Sequence, residues 1–354
     1  MLFRQIFDSG SGTYTYLLAA RRGGEALLID PVLEKVDQYL TLIRELDLRL
    51  VKAVDTHIHA DHVTGLGALR DRTRCVTVMG RESGADVVAM RVRDGDAVDI
   101  DGVSLEAIYT PGHTDDSYSF RMADRVFTGD TLLIRGTGRT DFQNGDPRKQ
   151  YDSIVNKLFR LPDETLVFPC HDYKGMTVSS IGEEKALNPR LKVRSVEEYV
   201  ELMNNLKLPN PKMMDVAVPS NRAIGLVQER GVAEGWALRA EDAMEEAQKA
   251  DVLLVDLREG PERFHDADIP GSVHAPYAAL ADFLRSGGLL SYEATRGGKR
   301  LLFYCSYGER SAMAVTQARE AGFARSYSIM GGVEAWLKAG GPVTYADART
   351  QAGA

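Results

Sequence analysis

The stretch Thr56-His57-Ile58-His59-Ala60-Asp61-His62 places three histidines and an aspartate within seven residues. It directly follows the apolar run Leu50-Val51-Lys52-Ala53-Val54, which predicts a buried β-strand. Imidazoles and a carboxylate at the end of a strand are typical of a metal site at the rim of a sheet. A single histidine in this place is explained as easily by packing, but four potential ligands in the spacing His-x-His-x-Asp-His predict a metal site.

Three further predicted strands lead into potential metal ligands. They are followed by His113, Asp130 and His171. Polar turns that recur at strand ends are what a β-sandwich with one active edge requires. Imidazole and oxygen ligands suit zinc or non-haem iron. A purely structural zinc is the alternative, but such sites are usually closed by cysteine ligands, and the sequence offers no cysteine pair. We therefore expect a catalytic metal.

Composition predicts an ordinary folded protein with about two domains. The chain has 354 residues, of which 44% are hydrophobic and 27% charged. The net charge of −8 and the lack of a lysine- or arginine-rich block argue against nucleic-acid binding. No apolar segment approaches the roughly 20 residues of a membrane helix, so no membrane partner is expected. The three cysteines are far apart and the N-terminus lacks a signal-peptide core, which predicts a cytoplasmic protein, or a mature form stripped of a targeting peptide.

The sequence pattern changes after about residue 225. Segment 188–225 predicts one helix, 196–206, followed by irregular chain rich in proline and asparagine. Beyond it, strands alternate with helices over about 100 residues, which predicts a small parallel-sheet α/β domain. We expect a first domain over residues 1–228, a linker over 229–239 and a second domain over 240–354.

A second potential reactive centre is the loop Cys305-Ser306-Tyr307-Gly308-Glu309-Arg310. It follows the apolar strand 301–304 and precedes a predicted helix. A cysteine in this place faces backbone N–H groups and a helix N-terminus, both of which favour a thiolate and bound anions. Arg310 adds a positive charge, and we expect it to cradle the anion or sulfur. The alternative is a buried structural cysteine, which the strand–loop–helix context and the glycine disfavour.

The first two thirds of the chain resemble the metallo-β-lactamase superfamily, and within it the glutathione persulfide dioxygenases more closely than glyoxalase II. The resemblance spans roughly residues 1–225 and rests on the stretches Ser11–Leu17, Thr56–Gly65, Gly138–Gln143 and Cys170–Tyr173. It implies an αββα sandwich. It also implies oxidation of glutathione persulfide by O₂ to sulfite and glutathione, whereas glyoxalase II is a thiolester hydrolase.

The resemblance implies one Fe(II) per chain, held by His57, His113 and Asp130. Two histidines and one carboxylate form the facial triad of oxygen-activating iron. The other polar residues of the site would orient these ligands and shape the local charge; they are His59, Asp61, His62 and His171. Every ligand of a dinuclear zinc site is also present, so the residues alone leave one iron and two zincs open.

Three residues are candidates for binding the substrate. Glutathione persulfide carries two carboxylates and an anionic sulfur, which favours cations and donors near the metal. The resemblance points to Arg139, Tyr173 and Lys174. The alternatives are an ion pair of Arg139 with Asp141, and simple packing for Tyr173. Cys170 is expected to be a buried small residue rather than a reactive thiol.

Residues 240–345 resemble a rhodanese domain. Three further stretches support the six-residue loop: Val255–Glu259, Ile269–His274 and Gly331–Trp336. The resemblance implies that Cys305 accepts a sulfane sulfur as a persulfide and passes it to a thiol or to sulfite. Phosphatase loops of this kind are one residue longer, which favours sulfur transfer over phosphate hydrolysis.

Together the two resemblances predict a fusion enzyme of hydrogen sulfide metabolism. A persulfide dioxygenase and a thiosulfate sulfurtransferase would share glutathione persulfide, sulfite, thiosulfate and glutathione, and a homodimer is suggested by analogy alone. The main alternative is a dinuclear zinc thiolester hydrolase with an attached sulfurtransferase. A third hypothesis makes the C-terminal domain a regulatory or docking module.

Overall fold

In the computed structural model, which describes residues 1–345, the chain divides into two compact units. The first comprises Met1–Asp86 and Arg91–Ile224, and the second comprises Val87–Met90 and the chain from Gly225 onward. Among the described residues, no helix is long and apolar enough to cross a bilayer. The domain limits predicted at residues 228 and 240 stay a prediction.

Two six-stranded sheets build the N-terminal unit, one in the order β1-β2-β3-β4-β5-β6 and one in the order β14-β13-β10-β9-β8-β7. The strands are β1 (Leu2–Asp8), β2 (Thr13–Ala19), β3 (Glu25–Ile29), β4 (Arg49–Val54), β5 (Val76–Gly80), β6 (Met90–Val92), β7 (Ala97–Ile100), β8 (Val103–Tyr109), β9 (Tyr118–Arg121), β10 (Arg125–Gly129), β11 (Leu132–Leu133), β12 (Gly136–Thr137), β13 (Leu166–Pro169) and β14 (Ser179–Ser180). The helices are α1 (Val36–Glu45), α2 (Leu66–Thr73), α3 (Pro147–Asp152), α4 (Ile181–Leu187), α5 (Val196–Asn204) and α6 (Met214–Arg222).

Aromatic side chains from both sheets form the core between them. Tyr16 of β2 lies 4.9 Å from Phe127 of β10 between ring centroids, and Phe3 of β1 lies 4.9 Å from Phe168 of β13. Tyr16 also donates a hydrogen bond to Pro169 O at 2.6 Å. These contacts pack the sheets face to face, so the predicted sandwich is confirmed.

Parallel pairing brings the strand ends of each sheet into line. In the first sheet, β3 pairs with β4 up to Ile29 opposite Val54. In the second sheet, β10 pairs with β13 up to Gly129 opposite Pro169. Each of these four strands is followed at once by a polar or thiol side chain: Asp30, Asp55, Asp130 and Cys170. The repeated strand-end pattern of the sequence therefore corresponds to the edge of the sandwich that carries the site.

The prediction of irregular chain after residue 206 is wrong, because α6 occupies Met214–Arg222 with Pro219 inside it. Proline lacks an N–H and normally disfavours a helix interior. Here tertiary contacts outweigh that cost, since Ala217 and Asn221 are buried and the Asn221 side chain donates hydrogen bonds to the carbonyls of His59 and His62. The helical segment that begins with α3 is irregular, because α3 continues into a π-helical turn, Ser153–Lys157, and a 3₁₀ turn, Leu158–Arg160.

The C-terminal unit contains a five-stranded parallel sheet in the order β15-β19-β18-β16-β17, which confirms the predicted small α/β domain. Its elements are α7 (Glu229–Ala233), β15 (Ala237–Leu238), α8 (Ala240–Ala247), β16 (Val252–Asp256), α9 (Gly260–His265), β17 (Val273–His274), α10 (Leu280–Leu284), α11 (Leu289–Thr295), β18 (Arg300–Tyr304), α12 (Glu309–Glu320), β19 (Ser326–Ile329) and α13 (Gly332–Lys338). Segment 229–239, predicted as a linker, contains α7 and β15, and β15 pairs with β19.

Candidate functional site

Three side chains at the strand ends form a compact group that fits a metal ion. His57, His113 and Asp130 each offer one ligand atom, and these atoms lie within 4.8 Å of one another. His113 Nε2 is 3.6 Å from Asp130 Oδ2, and the two imidazole rings are 4.9 Å apart between centroids. The structure therefore brings together the three residues that the sequence predicted as ligands.

The backbone and a neighbouring hydroxyl set the orientation of both imidazoles. His113 Nδ1 lies 2.6 Å from Arg139 O, and because a carbonyl only accepts, Nδ1 must carry the proton. His57 Nδ1 lies 3.0 Å from Thr56 Oγ1. With Nδ1 engaged in this way, Nε2 of each ring is left for a metal.

The electrostatics of the group also favour a cation. Burial, reinforced by His59 and His113, holds the pKa of His57 well below its usual range, so its imidazole is neutral and keeps a lone pair. Burial raises the pKa of Asp130, whose Oδ1 has no hydrogen-bond partner among residues 1–345. A buried carboxylate oxygen without a partner is costly unless an ion satisfies it. The donor set and its environment therefore fit a bound metal.

Gly138 lies directly beside the metal-site residues His113 and Asp130, where there is no space for a side chain. A Cβ added to Gly138 would overlap Asp130 O and would lie 2.8 Å from His113 Nδ1. The Gly138 N–H donates to the same Asp130 O at 2.8 Å. The loop that supplies the carbonyl of Arg139 can approach the ligands this closely only because position 138 lacks a side chain.

Asp61, His62 and His171 lie beside the group, where the sequence predicted supporting residues. Asp61 Oδ2 accepts from Thr13 Oγ1 at 3.1 Å and lies 2.9 Å from His62 Nδ1. The same oxygen is 3.5 Å from His171 Nε2, which in turn is 3.8 Å from Asp130 Oδ2. Asp61 therefore ties together the first and second sheets at the edge that carries the site.

Charge is strongly coupled among these side chains. Burial opposes ionisation of Asp61, but His171 and His62 outweigh it and hold the Asp61 pKa well below its usual range. Burial likewise disfavours the charged form of His171, yet Asp130 and Asp61 raise its pKa to about 10. Asp61, Asp130 and His171 thus form a charge-coupled group, in which the imidazole of His171 in its charged form stabilises both carboxylates.

The fourth supporting residue, His59, is held by a carboxylate that the sequence analysis missed. His59 Nε2 lies 3.2 Å from Asp30 Oδ1, and Asp30 also accepts from the Thr56 N–H at 2.7 Å. Burial, with His62 the next contributor, holds the pKa of His59 well below its usual range. Asp30 directly follows β3, so the rule that found the other strand-end ligands could have found it. The neighbouring thiol of Cys170 is buried, as expected.

A cavity of about 260 Å³ opens onto the metal group within the N-terminal unit. Its lining includes the metal-site residues His113 and Asp130 and all three predicted substrate residues, Arg139, Tyr173 and Lys174. The structure therefore gathers the predicted substrate residues at one place. Tyr173 is 74% exposed, and its ring stacks on the imidazole of His171 at 5.8 Å, so it is not simply packed into the core.

Arg139 already has partners for most of its guanidinium. It forms a two-pronged ion pair with Asp141, with both N–O distances 2.6 Å, and donates to Pro209 O at 2.7 Å. The guanidinium carbon also lies 4.4 Å from the ring centre of Phe142. The ion pair raised as the alternative in the sequence is present, and direct substrate binding by Arg139 stays a prediction.

Arg190 is a cavity residue that sequence reasoning missed. It lines the same cavity, and its guanidinium donates to the backbone and hydroxyl oxygens of Thr137. Within residues 1–345 no carboxylate forms an ion pair with it, and burial lowers its pKa. A half-buried arginine without an acidic partner, facing a cavity, is a strong candidate for binding an anionic ligand group. No pattern in the sequence distinguishes it from the other arginines.

The Cys305 loop lies in the C-terminal unit, between β18 and α12. Cys305 is fully buried, and the Gly308 N–H points at its Sγ over 3.2 Å. Val333 N donates to Cys305 O at 2.9 Å, which anchors the base of the loop. The predicted strand–loop–helix setting of the cysteine is therefore present, with one loop N–H directed at the sulfur.

Arg310 lies at the end of the loop, where its guanidinium is paired with a carboxylate of the protein. It is fully buried, and its two terminal nitrogens are paired with the carboxylate of Glu262. Glu262 also accepts from Ser306 Oγ at 2.6 Å. The arginine thus braces the loop through Glu262, and the predicted contact with a bound anion or sulfur stays a prediction.

Comparison with known proteins supplies family-level information. The metallo-beta-lactamase superfamily profile matches residues 9–171, and the rhodanese-like domain profile matches residues 239–339. The chain is 48% identical over 229 residues to mitochondrial persulfide dioxygenase ETHE1 of both Homo sapiens and Mus musculus. Each alignment covers 64% of this chain and 89% of the relative.

Solved structures give the same result. The crystal structure of ETHE1 from Myxococcus xanthus matches with a TM-score of 0.62 and 56% identity, covering 63% of this chain and 99% of that one. A metallo-beta-lactamase from Staphylococcus aureus matches with a TM-score of 0.60 over 94% of this chain and 98% of its own. At 21% identity the second match concerns the fold alone.

Proposed function

The chain belongs to the persulfide dioxygenase family and carries a rhodanese domain, and from that premise we propose that it is an iron-dependent glutathione persulfide dioxygenase coupled to a sulfurtransferase. The observation that carries the proposal is the group formed by His57, His113 and Asp130. Two imidazoles and one carboxylate, with coordination positions left for other ligands, suit Fe(II) that activates O₂.

Iron held by these three residues would supply the redox chemistry that lets O₂ react with a sulfur compound. The overall reaction is glutathione persulfide plus O₂ and water, giving glutathione and sulfurous acid, which ionises to sulfite. Three oxygen atoms enter sulfite, two from O₂ and one from water. The outer sulfur is oxidised, and the inner sulfur leaves as the thiol of glutathione.

The residues of this chain would orient the ligands and bind the substrate. Arg139 O holds the Nδ1 proton of His113, and Thr56 contacts Nδ1 of His57, so both rings keep one orientation during turnover. Arg190 and Lys174 line the cavity and would pair with the carboxylates of glutathione. The exposed ring of Tyr173 would cover the substrate at the cavity mouth.

We propose that the site holds one metal rather than two, although His59, Asp61 and His62 also offer ligand atoms within 4.8 Å of one another. A second metal would need Asp61, His62 and His171 as direct ligands, as in dinuclear zinc thiolester hydrolases. In this structure Asp61 Oδ2 already accepts from Thr13 and lies within hydrogen-bonding distance of His62 Nδ1. A carboxylate oxygen committed in this way would have to give up these contacts to bind a second ion, which supports a supporting role for the three residues.

The C-terminal unit would transfer sulfane sulfur through Cys305. Its thiolate attacks the outer sulfur of glutathione persulfide, forms a new S–S bond and releases glutathione thiolate. Sulfite then attacks the outer sulfur of the Cys305 persulfide, which gives thiosulfate and returns the thiolate, with the persulfide proton released to solvent. The Gly308 N–H near Sγ supports an anionic sulfur at this position.

We also propose a cytoplasmic location, in keeping with free thiols at all three cysteines. A reducing compartment keeps such thiols from pairing. Fractionation of the producing cells, with the protein detected in the soluble or the membrane and exported fractions, tests this location.

Replacing Asp130 tests the metal assignment. Asp130→Ala removes the carboxylate of the triad, so bound iron should fall to background and O₂ uptake with glutathione persulfide should be lost. Metal content by mass spectrometry and oxygen-electrode traces measure the two effects. Asp99→Ala, an exposed aspartate of β7, serves as the matched control and should keep both. Iron occupancy and activity that survive Asp130→Ala would contradict the assignment.

A further inference from the structure

Gln228 lies before the region matched by the rhodanese profile, yet its side chain contacts the reactive loop. We propose that Gln228 is a positioning residue for sulfur transfer, because it fixes the peptide plane whose N–H faces the sulfur of Cys305. The inference rests on the proposed transfer through Cys305 and adds a residue outside the six-residue loop.

One peptide group, that between Tyr307 and Gly308, connects Gln228 to the sulfur of Cys305. The Gly308 N–H points at Cys305 Sγ over 3.2 Å. The carbonyl on the other side of the same peptide bond, that of Tyr307, accepts a hydrogen bond from Gln228 Nε2 at 2.9 Å. Because a trans peptide is planar with its C=O and N–H pointing in opposite directions, a restraint on the oxygen also fixes the N–H. Gln228 thus sets the direction of the donor at the sulfur.

The loop needs such a restraint because Gly308 gives its backbone unusual freedom. Gly308 has a φ of +88°, a conformation that residues with a Cβ rarely adopt. Without a Cβ, the peptide between residues 307 and 308 can rotate at low cost and turn its N–H away from the sulfur. A hydrogen bond on Tyr307 O opposes that rotation.

Gln228 is itself held at its other end. Its Oε1 accepts from the Gly331 N–H at 2.8 Å, so the side-chain amide has one orientation that satisfies both partners. The residue is buried, and a Cβ added to Gly308 would overlap its Oε1. The amide therefore bridges the Cys305 loop and the turn before α13.

The restraint acts on a charged atom. Sulfur transfer needs the Cys305 thiolate as nucleophile, and the persulfide that forms is again an anion. Hydrogen bonds to charged groups are worth more than those between neutral groups. If the peptide rotates, the thiolate loses its directed donor, so its fraction at neutral pH and the rate of transfer should both fall.

The test uses the full chain with Gln228→Met, which keeps the length of the side chain and removes both hydrogen bonds. Gln228→Leu is the second variant, because it also removes both hydrogen bonds without adding a charge near Cys305. Gln248→Met, an exposed glutamine just after α8, is the matched control. Folding is checked by circular dichroism, and the metal site by O₂ uptake with glutathione persulfide.

Two readouts follow Cys305. The first is the rate of its alkylation by iodoacetamide against pH, measured on the Cys305 peptide by mass spectrometry. The second is kcat and KM for sulfur transfer from thiosulfate to glutathione. In both Gln228 variants we expect the half-maximal pH of alkylation to rise by about one unit and kcat to fall about tenfold, the size expected for one hydrogen bond to a charged group. KM, O₂ uptake and the control should stay near wild type.

An alkylation profile that stays at the wild-type pH in the folded Gln228→Met variant would overturn the proposal, since a merely structural residue would leave that profile in place. The failure of the proposed function is a different result: wild-type protein without sulfur transfer. The alkylation profiles still decide the role of Gln228 in that case, because they need no turnover.

Discussion

Arg190 shows how a single residue can give the N-terminal cavity its selectivity. It is half-buried in the cavity wall, and its guanidinium donates hydrogen bonds to the two oxygens of Thr137. A carboxylate of the substrate would complete its hydrogen bonding and neutralise its charge. We therefore expect Arg190 to act on substrate binding rather than on the metal.

Replacing Arg190 by glutamine keeps most of its length and removes the charge. Arg190→Gln should lower kcat/KM for glutathione persulfide about tenfold or more, as expected when one charge-assisted hydrogen bond is lost. A small alkyl persulfide without carboxylates should be oxidised equally by both proteins. Arg194→Gln, whose parent side chain is 94% exposed, is the matched control. Equal losses with both substrates would mean that Arg190 does not recognise the carboxylate.

At the scale of single residues, the sequence predicted the metal ligands, whose residue types and spacing are recognisable. It did not predict residues whose role depends only on their position in the folded chain. His57, His113 and Asp130 stand in a recognisable spacing, so their convergence could be expected. Arg190 and Gln228 carry no such signal, because an arginine or glutamine gains its role only from the cavity or loop that the folded chain builds around it. Asp30 lies between the two cases, since it follows a strand as the predicted ligands do.

Segment 205–213, between α5 and α6, forms part of the cavity wall, and the side chain of Arg139 donates a hydrogen bond to its backbone. Leu208 and Pro211 line the cavity. Arg139 donates to Pro209 O, while Asp141 holds its guanidinium from the other side. The backbone oxygen of Arg139 meanwhile orients His113. The loop around Arg139 therefore connects a ligand of the metal group to the wall of the cavity.

Weakening the contacts of Arg139 with Asp141 and Pro209 should make segment 205–213 of the cavity wall more mobile. Arg139→Lys keeps a positive charge but cannot form the two-pronged pair with Asp141 and reach Pro209 as well. Amide hydrogen exchange in segment 205–213 should become severalfold faster, because local opening no longer breaks those bonds. Arg148→Lys, which alters an exposed ion pair with Glu197, should leave the exchange of this segment unchanged. Equal exchange in wild type and Arg139→Lys would show that other contacts hold the wall.

Elements with a clear periodicity were predictable, and those stabilised by distant contacts were not. Helix α5 and strand β18 agree with the predicted ranges 196–206 and 301–304 to within two residues. Helix α6 was missed because Pro219 reads as a helix breaker, and only the hydrogen bonds of Asn221 to the histidine-rich turn explain its presence. The two-residue strand β15 is too short for any alternation to be visible.

At the scale of the whole molecule, the two proposed chemistries would share one set of small molecules. Sulfite formed by oxidation of glutathione persulfide would be the acceptor for sulfur held on Cys305. With excess glutathione persulfide and O₂, the wild-type protein should therefore accumulate thiosulfate. If one activity uses the sulfite that the other produces, this explains why a dioxygenase and a rhodanese domain occur in one chain.

Removing the thiol of Cys305 separates the two activities. Cys305→Ser should abolish sulfur transfer from thiosulfate, leave O₂ uptake unchanged, and replace thiosulfate by sulfite as the product, since serine cannot form a persulfide. Chromatography of the sulfur anions measures the change. Cys75→Ser is the matched control and should give thiosulfate as the wild type does. Sulfur transfer that survives in Cys305→Ser would favour a regulatory or docking role for the C-terminal unit.

The identity and number of the bound metal ions distinguish a dioxygenase from a hydrolase. The measurement is metal analysis of protein purified without added metal, paired with O₂ uptake on glutathione persulfide. We expect one iron per chain, and one O₂ consumed for each glutathione persulfide oxidised. Two zinc ions per chain without O₂ uptake would contradict it and identify the site as that of a hydrolase.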